Sequence, residues 1–557
     1  MSAATTLSAS QTARGVTLDI QGLTVALPPG ADRAEAVRGL TLQLRAGEVT
    51  CLIGESGSGK SLVARSVLGL LPGPHVRVSA GSITFDGMDL ARASPAQMRR
   101  VRGTRIGMIF QEPMTALNPL HTIGRQVAEV LGIHTALNRA ARRARVAELL
   151  ASVHLPDPGR LLDAFPHQLS GGQRQRAMIA MALALDPKLL IADEPTTALD
   201  VTTQAQILHL IRELQREHGT AVLFITHDFG VVAEIADTVA VLQKGVLVES
   251  GAMGTVLNAP AHAYTRALIA AVPRLSPGPH ALPSKAPFVL QAQGLRKTYP
   301  AHGLFGGRAT AALKDVGMEL RRGETLGLVG ESGSGKSTLA RAVTRLLRID
   351  AGEILLSGHD IAPLTRWRLR PYRKRIQMIF QDPYASLDPR QRIIDIIAEG
   401  PVIHGTPAAV AKAEARELLR LVGLDPQAAD RFPHEFSGGQ RQRIGIARAL
   451  ALRPEILVAD EPVSALDVSV QAQVLALLAG IKQQFQLSML FVTHDLRVAL
   501  QVCDRIAVMR KGEVVEVAAT ADIFTVPRHA YTKALFAAVP GAKWQDAGRM
   551  RVPSAEP

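Results

Sequence analysis

An eight-residue string, Gly54-Glu-Ser-Gly-Ser-Gly-Lys-Ser61, returns unchanged as Gly330-Glu-Ser-Gly-Ser-Gly-Lys-Ser337, 276 positions later. A repeat of this kind settles the architecture before any other feature is weighed. Ser170-Gly-Gly-Gln-Arg-Gln-Arg176 returns as Ser437 to Arg443, Ala192-Asp-Glu-Pro195 as Ala459 to Pro462, and His227 as His494, each at an offset of 267. Length variation is therefore confined to the segment between the glycine-rich string and the second one. With 557 residues the chain exceeds what one hydrophobic core usually organises, so each copy is expected to be a domain of about 250 residues. The expected layout is a tail over 1–15, domains over 16–273 and 288–541, a Pro-rich linker over 274–287 and a tail over 542–557. The linker contains no helical or strand period.

The first string follows an apolar run, Val49-Thr-Cys-Leu-Ile53, and opens a helical pattern, Leu62 to Leu68. That is the setting a P-loop requires. Glycines let consecutive backbone N–H groups curl around phosphates, and the helix N-terminus adds positive partial charge there. The phosphate cradle is expected from Gly54, Ser56, Gly57 and Gly59, and from Gly330, Ser332, Gly333 and Gly335. Lys60 and Lys336 are expected to reach the β and γ phosphates, and Ser61 and Ser337 to ligate Mg²⁺. The next side chains, Leu62 and Thr338, adjoin the same site, and only the threonine offers a hydroxyl.

Leu189-Leu-Ile-Ala-Asp-Glu194 and Ile456-Leu-Val-Ala-Asp-Glu461 read as buried parallel strands presenting carboxylates at their C-terminal ends, a Walker B pattern. Asp193 and Asp460 suit the metal. Glu194 and Glu461 suit the base that polarises the attacking water. An acidic pair opening a loop is common alone, but not downstream of a P-loop twice in one chain.

Leu169-Ser-Gly-Gly-Gln173 and Phe436-Ser-Gly-Gly-Gln440 resemble the signature motif of the ATP-binding cassette (ABC) family, and the resemblance covers nearly the whole chain. It implies an α/β fold of two tandem P-loop NTPase domains, each with a parallel-sheet core, a helical signature subdomain and a small antiparallel β part. It implies head-to-tail closure, in which Ser170, Gly171, Gly172 and Gln173 cap the γ-phosphate at Lys336, and Ser437, Gly438, Gly439 and Gln440 that at Lys60. Gln111 and Gln381 match the Q-loop, which contacts nucleotide and metal. Asp200 and Asp467 match the D-loop, and His227 and His494 the catalytic switch histidine. Tyr299 matches the aromatic that stacks on adenine; Leu27 stands at that position in the first copy.

A further repeat, Pro260-Ala-His-Ala-Tyr-Thr-Arg-Ala-Leu268 and Pro527-Arg-His-Ala-Tyr-Thr-Lys-Ala-Leu535, is similar to the C-terminal element of the dipeptide, oligopeptide and nickel importer ATPases. Phe110-Gln-Glu-Pro-Met-Thr-Ala-Leu-Asn-Pro119 and Phe380-Gln-Asp-Pro-Tyr-Ala-Ser-Leu-Asp-Pro389 resemble the paired ATPases of those importers, here joined. Val101 to Ile109 and Asn118 to Thr122 are most similar to ATPases of microcin C and peptide importers, with glutathione importers next. The resemblance implies ATP and Mg²⁺ as cofactors, two permease subunits and an extracytoplasmic substrate-binding protein as partners, and a peripheral place on the cytoplasmic membrane face.

Composition agrees with this reading. The longest apolar runs fall short of the ~20 residues that span a bilayer. Two cysteines, Cys51 and Cys503, lie in apolar segments and read as buried thiols, which excludes a cysteine zinc site or disulfide framework. The net charge of +14 would also suit a soluble tandem ATPase acting on ribosomes or DNA. Such proteins need a long charged helical linker or cysteine zinc modules, and neither is present, so no nucleic acid is expected. The arginine clusters at 99–105, 139–145 and 366–375 read as solvated faces.

Overall fold

The computed structural model describes residues 15–197, 199–278, 285–300, 309–464 and 466–548. The chain divides into two compact units, the first built on residues up to Leu199 and on Thr203–Ala270, the second on Ala271–Gln545.

In the first unit, β1 (Val16–Ala26), β2 (Glu35–Arg45), β4 (Arg77–Phe85) and β5 (Met88–Asp89) form an antiparallel sheet in the order β2-β1-β4-β5. A second sheet takes β3 (Val49–Ile53), β6 (Ile106–Ile109), β7 (Leu189–Asp193), β8 (Ala221–Thr226), β9 (Thr238–Gln243) and β10 (Val246–Ala252), in the order β10-β9-β3-β8-β7-β6. All its pairings are parallel except that of the edge strand β10. Every residue of β3, β7 and β8 is buried, as a parallel sheet covered on both faces demands. The inward residues Leu18, Ile20, Leu23 and Leu40 of the antiparallel sheet share one core with Leu52, Leu189, Leu223 and the helix Lys60–Val67. Between β6 and β7 the chain makes a helical layer, in which Ile123–His134, Arg139–Ser152 and Gly171–Ala182 pack together.

The second unit repeats the plan. The strands β11 (Phe288–Tyr299), β12 (Thr310–Arg321), β14 (Ala351–Leu356) and β15 (His359–Asp360) form the antiparallel sheet. The other sheet comprises β13 (Thr325–Val329), β16 (Ile376–Ile379), β17 (Ile456–Asp460), β18 (Ser488–Val492), β19 (Arg505–Arg510) and β20 (Glu513–Ala519), in the order β16-β17-β18-β13-β19-β20. Its helical layer is Ile393–Ile403, Ala408–Leu421 and Gly438–Leu450.

Two segments outside the expected domain extents carry structure among the described residues. The segment after 541, read as a tail, begins with a helix, Ala542–Gly548. The Gln545 side chain accepts from the Leu275 backbone N–H at 2.6 Å and donates to the Pro273 carbonyl at 3.2 Å. The start of the Pro-rich linker is tied down as well: Leu275 is buried and Gly278 N–H donates to the Leu500 carbonyl at 3.0 Å. Linker residues 279–284 and the tail over 1–14 lie outside the described residues. Cys51 and Cys503 are free and buried, and burial pushes both thiols far up. Among the described residues no helix is long and apolar enough to cross a membrane.

Candidate nucleotide sites

Four parallel strands deliver the first site because their C-terminal ends share one edge of the sheet, where open α/β sheets bind ligands. From β3 the chain enters the glycine loop; β6 runs into Gln111, β7 into Asp193 and Glu194, and β8 into His227. Since β8 lies between β3 and β7, His227 emerges between the glycine loop and the acidic pair.

The glycine loop is held by close backbone contacts. A Cβ on Gly54 would lie 2.2 Å from the Leu242 carbonyl oxygen, and one on Gly59, whose φ is +105°, 2.7 Å from that of Ala36. Gly330 and Gly335 repeat these contacts, 2.1 Å from the Met509 and 2.5 Å from the Ala312 carbonyl oxygens. Lys60 is buried, with Nζ donating to the carbonyls of Gly54 at 2.7 Å and Glu55 at 2.8 Å; Lys336 does the same to Gly330 and Glu331, both at 2.8 Å. Ser61 Oγ donates to Asp193 Oδ1 and Ser337 Oγ to Asp460 Oδ1, both at 3.0 Å. No side chain caps the helices beginning at Lys60 and Lys336, so their first N–H groups face the loop without a side-chain acceptor. Ser58 Oγ is buried and has no protein partner among the described residues. At Gly57 and Gly333 an added Cβ would meet nothing within 4 Å, so the cradle is open at those points. Uncapped donors, a buried lysine and an open mouth suit the oxygens of a polyphosphate.

Glu194 and Glu461 adopt left-handed backbone, each with φ +47°, which a non-glycine residue keeps only when its surroundings dictate it. The Glu194 carboxylate accepts from Gln111 Nε2 and Thr197 Oγ1, both at 3.0 Å, and lies 3.4 Å from His227 Nδ1. Glu461 accepts from Gln381 Nε2 at 2.9 Å and lies 3.2 Å from His494 Nδ1. Burial pushes both carboxyls upward, but the histidine bond and charge and the P-loop lysine outweigh it. Glu194 is thus held at about 2, and Glu461 is lowered likewise. For Asp193 and Asp460 burial wins over the serine bond, and both are raised. The two neighbouring acids are therefore pushed apart, as expected where they serve different tasks.

These shifts make stability pH-dependent. Burial lowers the affinity of His494 for its proton, but the bond to Glu461 and that carboxylate's charge raise it overall. Its contribution is fully present below about pH 6.5 and is lost as pH rises through the folded value. For Glu461 the sign is opposite: the contribution is present above about pH 4.5 and is lost as pH falls through the depressed folded value. Calorimetric scans of Glu461→Gln between pH 6 and 8 should show a flatter dependence of Tm than wild type. An unchanged slope would deny the pair energetic weight.

The signature strings begin helices. Ser170 Oγ accepts from Gln173 N–H at 3.3 Å and Gln173 Oε1 from Ser170 N–H at 2.9 Å, a capping box repeated at Ser437 and Gln440. Gly172 and Gly439 permit close packing on Thr203 and Val470, where a Cβ would come within 2.5 and 2.4 Å. Tyr299 ends β11 and is 39% exposed, so its ring is accessible. Leu27 and Leu62 instead pack partly against the first unit's core. Thr338 is half-buried beside Ser337, and Asp467 is the N-cap residue of the helix Val468–Phe485.

The sequence reading missed several residues. Arg33 Nη2 donates to the Gly57 carbonyl in the glycine loop. Thr197 and Ser464 steady the two glutamates. Tyr264 and Tyr531, within the repeated C-terminal strings, reach the glycine loops of their own units. Arg33 carries no sequence signal; the tyrosines carried one in the repeat itself.

A family model described as "ABC transporter" matches residues 37–197 and 313–464, more than half of the chain; the spans take in both glycine loops, Q-loop glutamines, signature strings and acidic pairs, while His227, His494 and Tyr299 lie outside them. The chain belongs to the ABC transporter family. It is an ATP-binding ATPase with two cassettes. A model described as "Oligopeptide/dipeptide transporter, C-terminal region" matches residues 248–295 and 515–557. Among relatives, the peptidoglycan transport ATP-binding protein YejF of Agrobacterium fabrum is 49% identical over 94% of this chain and 96% of its own. The glutathione import ATP-binding protein GsiA of Salmonella typhimurium is 46% identical over 94% of this chain and 90% of its own. An uncharacterized ABC transporter ATP-binding protein, YejF of Escherichia coli, is 46% identical over 93% of this chain and 99% of its own.

Proposed function

We propose that this ABC ATPase powers an importer of peptides or peptide-like compounds, seated on the cytoplasmic membrane face against two permease subunits and supplied by an extracytoplasmic binding protein. The observation that carries the reading is the complete duplicate: each unit holds lysine, serine, acidic pair, Q-loop glutamine and histidine in one geometry, and each adds the oligopeptide/dipeptide C-terminal region.

In this mechanism Lys60 and Lys336 leave their carbonyl partners for phosphate oxygens. Glu194 and Glu461, ionised at neutral pH, accept the attacking water's proton, with His227 and His494 orienting them. Mg²⁺, bound by Ser61, Asp193 and Gln111 or by Ser337, Asp460 and Gln381, would neutralise phosphate charge. Hydroxyl, carboxylate and amide oxygens are the donor types that ion takes alongside water and phosphate. Among the described residues no group of three or more His, Cys, Asp and Glu could hold a metal ion. The domain extents proposed are those expected from sequence, 16–273 and 288–541.

Affinity purification from native membranes with mass spectrometry tests the reading. Two multispanning permeases and a peptide-type binding protein are expected, and the identity of that binding protein separates peptide from glutathione cargo. Ribosomal proteins or nucleic acid in their place would overturn it.

The Leu27/Tyr299 difference predicts unequal sites. Stacking of a base on an aromatic is worth about 1–3 kcal/mol, so ATP should bind about tenfold more weakly to Lys336→Ala, which leaves only the leucine site intact, than to Lys60→Ala. Equal dissociation constants by calorimetry would refute the asymmetry.

A further inference from the structure

The C-terminal strings at 260–268 and 527–535 are built identically onto the nucleotide loops. Glu249 on β10 accepts from the backbone N–H groups of Ala261 at 2.7 Å and His262 at 3.1 Å. Glu516 on β20 does the same for Arg528 at 2.8 Å and His529 at 3.0 Å. The histidine then turns the chain into a short helix: His262 Nδ1 accepts from Tyr264 N–H at 3.2 Å, and His529 Nδ1 from Tyr531 N–H at 3.1 Å. So seated, Tyr264 Oη accepts from the Glu55 N–H at 3.4 Å and Tyr531 Oη from the Glu331 N–H at 3.1 Å, across 209 and 200 residues of chain. Tyr531 is buried, with the Arg510 guanidinium 4.8 Å from its ring centre, and burial pushes its phenol up to about 12, so it stays neutral.

The bonded N–H belongs to a particular peptide unit. The N–H of Glu55 and the carbonyl of Gly54 are two ends of one planar amide. That carbonyl accepts from Lys60 Nζ, as the Gly330 carbonyl accepts from Lys336 Nζ. In each copy one amide is thus gripped on opposite edges, by the P-loop lysine and by the tyrosine. Gly54 and Gly330 have no side chain to hold this plane.

We infer that Tyr264 and Tyr531 are positioning residues for nucleotide binding, fixing the first peptide plane of each glycine loop so that the loop keeps its cradle form when the lysine transfers from Gly54 or Gly330 to a phosphate. The C-terminal region thereby becomes part of the ATP site's support. The inference rests on the ATPase reading, because it concerns how tightly these loops hold ATP.

The test uses the full chain with Tyr264→Phe and Tyr531→Phe, which remove the hydroxyl and keep the ring packing. Each is placed in the background that leaves its own site intact, Lys336→Ala for Tyr264 and Lys60→Ala for Tyr531. A neutral hydrogen bond of ordinary net strength predicts nucleotide dissociation constants raised about 3- to 10-fold, with Tm lowered by no more than about 6 °C and kcat held. In the chain with both lysines intact, the double Phe variant should raise KM for ATP by a similar factor and leave kcat within about twofold. Glu249→Gln and Glu516→Gln, which loosen the seat of the tyrosine, should shift affinity in the same direction. Affinity equal to the parent in both Phe variants would overturn the inference. So would a fall in Tm and kcat together, which marks general support of the fold. Background variants that bind no nucleotide even with both tyrosines intact would sink the ATPase reading and this inference with it.

Discussion

Replacing either buried glutamate by its amide, Glu194→Gln or Glu461→Gln, should cut ATP turnover at its own site by about 10²- to 10⁴-fold, the range lost with a general base, while ATP binding survives. The variant changes one atom in a side chain of the same size. Glutamine can still meet His227 or His494 and the Q-loop amide by flipping, so the left-handed backbone at φ +47° has no reason to relax. It cannot take a proton from water, the role proposed for the carboxylate, which is held at about 2 at Glu194 and lowered at Glu461. The double variant should retain nucleotide and lose phosphate release in a single-turnover assay. Residual hydrolysis above about a tenth of wild type would move the base elsewhere.

Gly330→Ala should be among the most damaging single methyls at the described glycines. Its Cβ would stand 2.1 Å from the Met509 carbonyl oxygen, a backbone atom at the end of β19 that no rotamer change can move. Overpacking of this kind costs about 1–3 kcal/mol, and here either the loop or the strand must shift. For a unit of this size that corresponds to a Tm lower by about 2–12 °C. Nucleotide binding at the second site should be lost, because the displaced peptide is the one that Lys336 and Tyr531 both hold. Gly333→Ala is the internal control: an added Cβ there touches nothing, and its φ of +76° carries the usual left-handed penalty, so it tests strain without collision. Equal Tm in the two variants would show that the carbonyl contact does not matter.

The chemistry was legible in the sequence wherever it is local. A glycine loop is a run of backbone conformations, and Gly54 to Ser61 states them in order. Apolar strands ending in Asp-Glu announce both their burial and the end at which the acids appear. Convergence of those ends needed only the rule that parallel strands point the same way. What was not legible depends on register across the fold. Nothing near Tyr264 says that its hydroxyl meets Glu55, because that contact follows from how β10 lies beside β9 and how Glu249 catches the following turn. Arg33 lies in a loop with no motif, and its approach to Gly57 depends on how β1 and β2 pair. The helix after 541 was hidden because its sequence is polar and short; its place comes from one glutamine side chain satisfying two backbone groups about 270 residues away.

The central position of β3 has a consequence for how the chain is made. Its neighbours in the sheet, β8 and β9, are synthesised some 170 to 190 residues after it. At about 5–20 residues per second the strand waits roughly 10–40 s for its partners. The second copy carries apolar strands of the same order and near-equal length that could pair wrongly with a half-finished first copy. Because the first copy's set is complete at residue 252, before β13 begins at residue 325, the order of translation lets one sheet close before its competitor exists. A pulse of refolding from denaturant, in which both copies start together, should therefore recover less active protein than synthesis from the N-terminus.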